Sequence, residues 1–181
     1  MAILAGKCLA FFISHTDLFG DCLISLISFS SGSIVAYHCA YDLFRLGRLS
    51  KLNSVCFVGS PLTTSTFDTN LISNLRGRIF NVYSHKDFLM KYVTDPRSDN
   101  EEEPIGLREF TIKDFVEFEK PTYGIGRDLK MIRNLNLSEV VKCHSEYKFH
   151  ATEILNFLDK SMTFDLLFSR IKLITTNPSN I

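Results

Sequence analysis

The chain has 181 residues, of which 45% are hydrophobic and 22% are charged. This composition is typical of one folded domain and excludes a disordered segment. Twenty Lys and Arg residues balance 20 Asp and Glu residues, and the absence of a basic excess argues against nucleic acid as a partner. The five cysteines are scattered and form no CxxC pair. We therefore expect no disulfide scaffold, no metal site and no cofactor.

The two longest apolar stretches, residues 1–13 and 22–29, are shorter than the roughly 18–20 apolar residues that cross a bilayer. The first residues show neither a basic start nor a clear small-residue cleavage site. We therefore expect an intracellular protein with free thiols, in a compartment that the sequence does not fix. Contact with a membrane surface, without a transmembrane span, stays open.

Hydrophobic patterning predicts strands and helices that alternate along the chain. Short apolar runs bounded by Gly, Ser or Pro are typical of buried strands, whereas apolar residues at helical spacing predict helices. The predicted strands span 22–29, 54–58, 78–83 and 129–135, and the predicted helices span 3–13, 33–46, 67–76, 146–158 and 161–174. The acid-rich run 99–104 is expected to be a solvated loop. This alternation predicts an α/β fold with a mostly parallel sheet flanked by helices.

The first predicted strand ends in a serine-rich turn, Ser28-Phe29-Ser30-Ser31-Gly32, that leads directly into a helix. The turn is similar to G-x-S-x-G, the sharp strand–helix turn that carries the nucleophile of α/β-hydrolases. Small residues two places before and after the nucleophile permit this turn. Ser30 is therefore the candidate nucleophile and the Ser31 N–H the candidate oxyanion donor. Serine-rich turns are also common for other reasons, and Ser30 would equally serve as the N-cap of the helix.

A serine nucleophile needs a general base and an acid that orients it, and in this fold they follow in the order Ser, Asp/Glu, His. Asp87 follows the third predicted strand and is the leading acid, with Asp95 in reserve. His144 lies after the last predicted strand and before a helix, which makes it the candidate base. Two structural interpretations stay open: Asp87 starts a helical turn, and His144 is an ordinary loop histidine.

Five segments of the chain are similar to a known family. They are AGKCLAFFI at 5–13, SFSSGSIVAYHCAYDL at 28–43, NSVCFVGSPL at 53–62, GRIFNVYSHKDFLMKYV at 77–93 and LSEVVKCHSEYKFHATEIL at 137–155. The chain resembles the C-terminal part of the α/β-hydrolase-like domain of the transmembrane and coiled-coil domain-containing (TMCO-type) family. The family motifs G-F-S-L-G-x-R-V-I, N-x-Y-S-x-x-D and G-H-x-x-Y fall on Ser30, Asp87 and His144. The resemblance implies a truncated α/β-hydrolase-like domain over 1–160, followed by a C-terminal helix and tail over 161–181.

The chain departs from the family pattern at several positions. Ser28 replaces the first glycine of the turn, Ser31 replaces a leucine, and Cys143 replaces the glycine before His144. No strand is predicted before 22–29, although in this fold the loop after an earlier strand supplies a second oxyanion N–H. The strand 22–29 is therefore expected to have an exposed edge, whose backbone groups can pair with another strand.

These departures favour a catalytically reduced α/β-hydrolase fold that acts as a structural or docking subunit of a larger assembly. We expect a protein partner or a second copy of the chain to cover the edge of 22–29, unless residues 1–13 or 161–174 do so. The alternative function is a serine hydrolase that cleaves an ester, such as a lipid ester. Ser30 would then be the nucleophile, His144 the base and Asp87 the orienting acid.

Overall fold

A computed structural model describes residues 1–16, 19–92, 102–111 and 132–160 of the chain. The chain divides into two compact units, Met1–Tyr147 and Lys148–Ile181, which we describe separately. The helix predicted at 161–174 and the reserve acid Asp95 lie outside the described residues. The predicted domain boundary at 160/161 borders these residues and stays a prediction.

The first unit contains helices and strands in the predicted order. They are α1 (Ala2–His15), β1 (Ile24–Phe29), α2 (Gly32–Arg45), β2 (Leu52–Val58), α3 (Thr69–Asn74), β3 (Ile79–Tyr83) and β4 (Ile132–Asn136). The four predicted strands and the first three predicted helices are confirmed. Within the described ranges, no helix combines the length and apolarity that crossing a bilayer requires.

The four strands form one parallel sheet in the order β1-β2-β3-β4. Phe29 at the end of β1 pairs with Val58 of β2, and Val58 pairs with Val82 of β3. The carboxyl ends of neighbouring strands are therefore level, and the segments that follow them start at the same edge of the sheet. This arrangement confirms an α/β fold, and it brings together residues that are far apart in the sequence.

The main core lies between this sheet and α2, with α1 packed against α2. Gly6 of α1 permits this packing, because a Cβ there would lie only 2.7 Å from the Val35 carbonyl oxygen. Each buried Leu, Ile or Phe side chain contributes about 1.5–3 kcal/mol by leaving water. The apolar side chains of this core include Ala10, Ile13, Ala36, Leu43, Leu52, Val55, Phe57, Ile72 and Phe110.

β1 is the outer strand of the sheet in the described part of the chain, where it pairs only with β2. Its side chains Ile27 and Phe29 are 55% and 46% exposed, whereas the side chains of β3 are buried throughout. Residues 1–13 were one expected cover for this edge. They form the helix α1, which packs against α2, and the cover of this edge stays a prediction.

The helix predicted at 146–158 is wrong in its first turn, since His144–His150 form a 3₁₀ helix. The Glu146 carboxylate accepts the backbone N–H groups of Lys142 at 2.6 Å and Cys143 at 3.2 Å. A side chain that satisfies these donors stabilises a tight turn at this point in place of a regular α-helix. In the second unit, an α-helix, α4, spans 151–160.

The acid-rich run predicted as a solvated loop is only partly one. Glu103 is exposed, but Glu102 accepts hydrogen bonds from the backbone N–H groups of Thr64 at 3.2 Å and Ser65 at 3.1 Å. These two residues belong to a 3₁₀ turn after β2, whose N–H groups need acceptors. The prediction is therefore wrong for Glu102, because the carboxylate caps that turn. Residues 99–101 lie outside the described part.

The segment after Glu102 connects the ends of two strands through its backbone. The N–H of Gly106 donates to the Ser60 carbonyl at 2.9 Å, just beyond β2. The Gly106 carbonyl accepts the N–H of Ser84 at 3.1 Å, just beyond β3. A side chain at 106 is excluded, since a Cβ there would lie 2.5 Å from the Ser60 nitrogen. This segment therefore fixes the carboxyl edge of the sheet.

Candidate functional site

Ser30 lies in a strained turn between β1 and α2. Its φ is +54°, and among the described residues it is the one non-glycine residue with a positive φ. Such a backbone costs on the order of 1–3 kcal/mol and persists when the surroundings hold it. Here the Ser30 N–H donates to the Val58 carbonyl and the Ser30 carbonyl accepts the Ser33 N–H, each at 2.9 Å. The backbone therefore has the sharp strand–helix turn that the sequence predicted.

Ser30 is not the N-cap of α2. The residue before the helix is Ser31, and no side chain caps the helix start. The capping interpretation of Ser30 is therefore wrong. The N–H groups of the first helical turn lack acceptors within the helix and carry its positive end. Ser31 thus stands where a backbone N–H can bind an oxyanion next to Ser30.

Ser28 fits the turn although it replaces the expected glycine. Its Oγ donates to the Cys56 carbonyl at 2.8 Å, and the residue is only 8% exposed. A buried hydroxyl with a good acceptor carries little desolvation cost. This departure from the family pattern therefore does not prevent the strained turn at Ser30.

Asp87 and His144 form a direct hydrogen bond. The distance between His144 Nδ1 and Asp87 Oδ2 is 2.7 Å, and the two side chains are 11% and 0% exposed. The Asp87 carboxylate accepts from Nδ1–H, and in the neutral imidazole this tautomer leaves Nε2 as the acceptor. The loop-histidine interpretation gives no reason for this buried pair, although Asp87 does also start a short 3₁₀ turn, Phe88–Lys91.

Backbone and hydroxyl bonds hold the two loops that carry this pair. Ser84 Oγ donates to the Val141 carbonyl at 2.6 Å, and Ser138 Oγ accepts the His85 N–H at 2.9 Å. The loop after β3 is thus tied to the loop after β4. Side chains held in this way are positioned before any ligand arrives.

Phe29 links the Asp87–His144 pair to Ser30. The ring of Phe29, the residue before Ser30, stacks on the His144 imidazole with centroids 4.7 Å apart and planes at 19°. Nε2 of His144 is buried and has no hydrogen-bond partner in the described part of the chain, so it is not bonded to Ser30 Oγ. Such bonds often form only when a substrate binds. The structure therefore brings the three predicted residues into one region, with the serine–histidine bond not made.

Sequence analysis missed three residues of this site: Phe29, Gly59 and Tyr147. Gly59 follows β2 with a φ of +51°, and a Cβ there would lie 3.2 Å from His144 Cε1 and 2.8 Å from Tyr147 Cε2. Burial, with a smaller effect from the Asp87 charge, raises the pKa of Tyr147 well above its usual range. The motif G-H-x-x-Y held the signal for Tyr147, but the roles of Phe29 and Gly59 depend on contacts between separate elements.

Within the described residues, no group of three or more His, Cys, Asp and Glu side chains could hold a metal ion. The polar groups that the fold brings to this edge are the hydroxyl of Ser30, the imidazole of His144, the carboxylate of Asp87 and the backbone N–H of Ser31. These groups can transfer protons and stabilise an oxyanion.

The fold and the site define an α/β protein with a serine, an aspartate and a histidine at the carboxyl edge of a parallel sheet. The chain belongs to a family described as "Protein of unknown function (DUF726)", whose profile matches residues 1–160. A relative from Caenorhabditis elegans, described as "Uncharacterized membrane protein F35D11.3", is 28% identical over 135 residues, which cover 74% of this chain and 19% of the relative. The chain thus spans about a fifth of that relative's length. No solved structure matches the chain significantly.

Proposed function

We propose that the protein is a serine ester hydrolase of the α/β-hydrolase fold. The observation that carries this proposal is the 2.7 Å bond between Asp87 and His144, beside the strained turn of Ser30. A buried carboxylate is costly unless it is paired, and a positive φ at serine adds strain. The two features lie at the same edge of the sheet, where a nucleophile and its base have to meet.

The resemblance to the TMCO-type family supports the same proposal. Its three motifs fall on Ser30, Asp87 and His144, the residues that the fold gathers at the carboxyl ends of the parallel strands. Ligands of open α/β sheets bind at this end of the strands. The motif positions and the sheet topology therefore favour the same site.

In the proposed mechanism, Ser30 Oγ attacks the carbonyl carbon of the ester and its proton moves to His144 Nε2. Asp87 holds the tautomer that leaves Nε2 able to accept, and it stabilises the imidazolium that forms. The Ser31 N–H binds the oxyanion of the tetrahedral intermediate. The bond to the alcohol oxygen then breaks, and His144 returns the proton to the leaving alcohol. Water repeats the sequence on the acyl-serine and releases the acid.

The side chains before Ser30 favour an ester with an apolar acyl group, such as a lipid ester. Ile27 and Phe29 are large, apolar and about half exposed, and they lie on β1, the strand directly before Ser30. An apolar chain bound here would remove both side chains from water, at about 25 cal/mol for each Å² covered.

The test is covalent labelling with a fluorophosphonate probe, which reacts only with a serine that its base activates. We expect wild-type protein to be labelled, Ser30→Ala to lose the label, and Ser25→Ala to keep it. Ser25 is a matched control because it is an exposed serine of the same strand. Folded wild-type protein that takes up no probe, or a label that persists in Ser30→Ala, would show that the proposal is wrong.

A second candidate function, docking through β1, is favoured by the outer edge of that strand. The Ser30 N–H points to β2, because it donates to Val58. Since successive residues of a strand alternate, the backbone groups of Ser25, Ile27 and Phe29 point away from β2. We infer that a second copy of the chain covers this edge. Two β1 strands would pair antiparallel around a two-fold axis, and a net charge of +0 opposes association little.

This second candidate is tested by molar mass from light scattering. We expect wild-type protein to be a dimer at micromolar concentration and Ile27→Pro to be a folded monomer. Proline at 27 removes an outward N–H and leaves the bonds to β2 in place. Ile27→Val is the control and is expected to stay dimeric. A monomeric wild type, or a dimer that Ile27→Pro leaves unchanged, would exclude pairing through this edge.

A further inference from the structure

The His144 imidazole is enclosed by two aromatic rings and a glycine. Phe29 stacks on its face at 4.7 Å and 19°, while Tyr147 meets it nearly perpendicular, at 6.0 Å and 78°. Phe29 and Tyr147 also contact each other, with centroids 5.9 Å apart. Gly59 lies against His144 Cε1. The imidazole is thus held at its Nδ1 edge by Asp87 and on one face by Phe29.

We propose that Phe29 is a positioning residue for the base. Its ring holds the His144 imidazole nearly parallel to its own plane, and it stabilises the imidazolium that forms when Ser30 gives up its proton. The proposal rests on the proposed hydrolase function. An aromatic face within about 6 Å of a cation attracts it through the ring quadrupole. The centroid separation of 4.7 Å and the near-parallel planes satisfy this condition.

The ionisable groups near His144 leave this role to Phe29. Asp87 is bonded to Nδ1 and compensates the charge at that edge of the ring. Tyr147 stays neutral, since burial raises its pKa. The Glu146 carboxylate, on the same 3₁₀ helix as His144, is bonded to the N–H groups of Lys142 and Cys143. Of the two aromatic rings beside the imidazole, Phe29 is the nearer one and the one that stacks on its face.

Chain connectivity gives Phe29 a second effect. Phe29 is covalently joined to Ser30, whose φ of +54° fixes the turn between them. Stacking at residue 29 therefore sets the position of the imidazole relative to residue 30, although the two come from segments 114 positions apart (144 − 30).

The stacking is tested by NMR on Phe29→Leu and Phe29→Tyr, with the His144 ring protons assigned by comparison with His144→Gln. The face of an aromatic ring shifts nearby protons upfield. We expect the His144 ring protons to move downfield in Phe29→Leu and to keep their wild-type positions in Phe29→Tyr. This measurement needs no enzymatic activity, and a well-dispersed spectrum shows that each variant is folded.

The effect on the base is tested by the pH dependence of fluorophosphonate labelling, whose rate rises as the base loses its proton. In Phe29→Leu we expect the midpoint to move down by about half a pH unit and the plateau rate to fall about two- to fivefold. Phe29→Tyr should restore both values. A merely structural role for Phe29 would lower the amount of active protein without moving the midpoint.

The two measurements separate this inference from the proposed function. If the ring protons shift in Phe29→Leu but wild-type protein is never labelled, the hydrolase proposal fails and the stacking stands without a catalytic role. If wild-type protein is labelled and Phe29→Leu leaves the midpoint unchanged, the hydrolase proposal stands and the role of Phe29 is wrong. Unchanged ring-proton positions in Phe29→Leu would overturn the stacking itself.

Discussion

At the scale of single residues, Gly59 makes room for the site. Its φ is +51°, and a Cβ would collide with the rings of Tyr147 and His144. Gly47, which follows α2, has a φ of +66° but nothing within 4 Å of a Cβ. The two glycines therefore share the backbone requirement and differ only in their surroundings. Substitutions at the two positions therefore separate the free-energy cost of backbone strain from the cost of steric crowding.

We expect Gly47→Ala to lower the free energy of unfolding by about 1–2 kcal/mol, because only the backbone is strained. Gly59→Ala should cost about 1–3 kcal/mol more, since the rings must move as well. It should also slow fluorophosphonate labelling, which Gly47→Ala should not do. Urea unfolding and labelling rates measure both effects. Equal losses of stability in the two variants would mean that the rings of Tyr147 and His144 move aside without measurable cost.

The residues of the site divide by how they could be predicted. Ser30, Asp87 and His144 follow strand ends, and level strand ends of a parallel sheet bring such residues together whatever their spacing in the sequence. The stacking of Phe29 on His144 depends on side-chain packing between β1 and the 3₁₀ helix 144–150, which no local pattern encodes. Sequence rules therefore predict which polar residues meet at this edge, and only the packed structure shows which side chains hold them in place.

At the scale of elements, α3 depends on its N-cap, Asp68. The helix has six residues, too few to be stable through its own hydrogen bonds. The Asp68 carboxylate accepts the N–H groups of Asn70 at 2.7 Å and Leu71 at 3.2 Å. Leu71 and Ile72 are buried in the core, so this cap fixes side chains that cover the sheet.

We expect Asp68→Ala to lower the free energy of unfolding by about 1 kcal/mol, because two backbone donors lose their acceptor. Asp68→Asn keeps an oxygen at the same place and should lie within a few tenths of a kcal/mol of wild type. Denaturant unfolding of the three proteins measures the difference. If Asn and Ala destabilise equally, charge at the helix start is the main contribution and the cap geometry is not.

Elements differ in how well their patterns predicted them. β2 and β3 are buried almost throughout and read as continuous apolar runs, so their type was clear. β4 (Ile132–Asn136) is only partly buried, and the predicted residues 129–131 lie outside the described part of the chain. The 3₁₀ turn at 144–150 follows from one carboxylate, Glu146, that bonds to backbone outside any periodic pattern. Such contacts override the local propensity for an α-helix.

At the scale of the whole molecule, buried thiols make the free energy of unfolding change with pH in the alkaline range. Burial raises the pKa of Cys56, on β2, from 9.0 to about 12. Burial, with a smaller effect from Asp42, also raises the pKa of Cys39, on α2, to about 12. A raised pKa means that the unfolded chain loses these protons first. The contribution of the neutral thiols to stability is therefore fully present below pH 9, and it is lost as the pH rises from 9 towards 12.

We expect the free energy of unfolding of Cys56→Ala to fall less steeply between pH 9 and 11 than that of wild type. The slopes should differ by about 1.4 kcal/mol per pH unit, the effect of one titrating group. Cys8→Ala, which removes an exposed thiol, should keep the wild-type slope. Urea unfolding at several pH values gives the slopes. Parallel curves for wild type and Cys56→Ala would contradict the expectation.

The segment after Glu102, whose Gly106 bonds to Ser60 and Ser84, limits how much of the acid-rich loop can be deleted. An acid-rich stretch is the first part that a protein engineer would delete to obtain better crystals. In this chain the deletion would have to end before Glu102. Beyond that point it would remove the acceptor of the Ser84 N–H, three residues before Asp87, and the carboxylate that caps Thr64 and Ser65. A chain shortened beyond this point would lose the arrangement of the proposed triad while still containing all three of its residues.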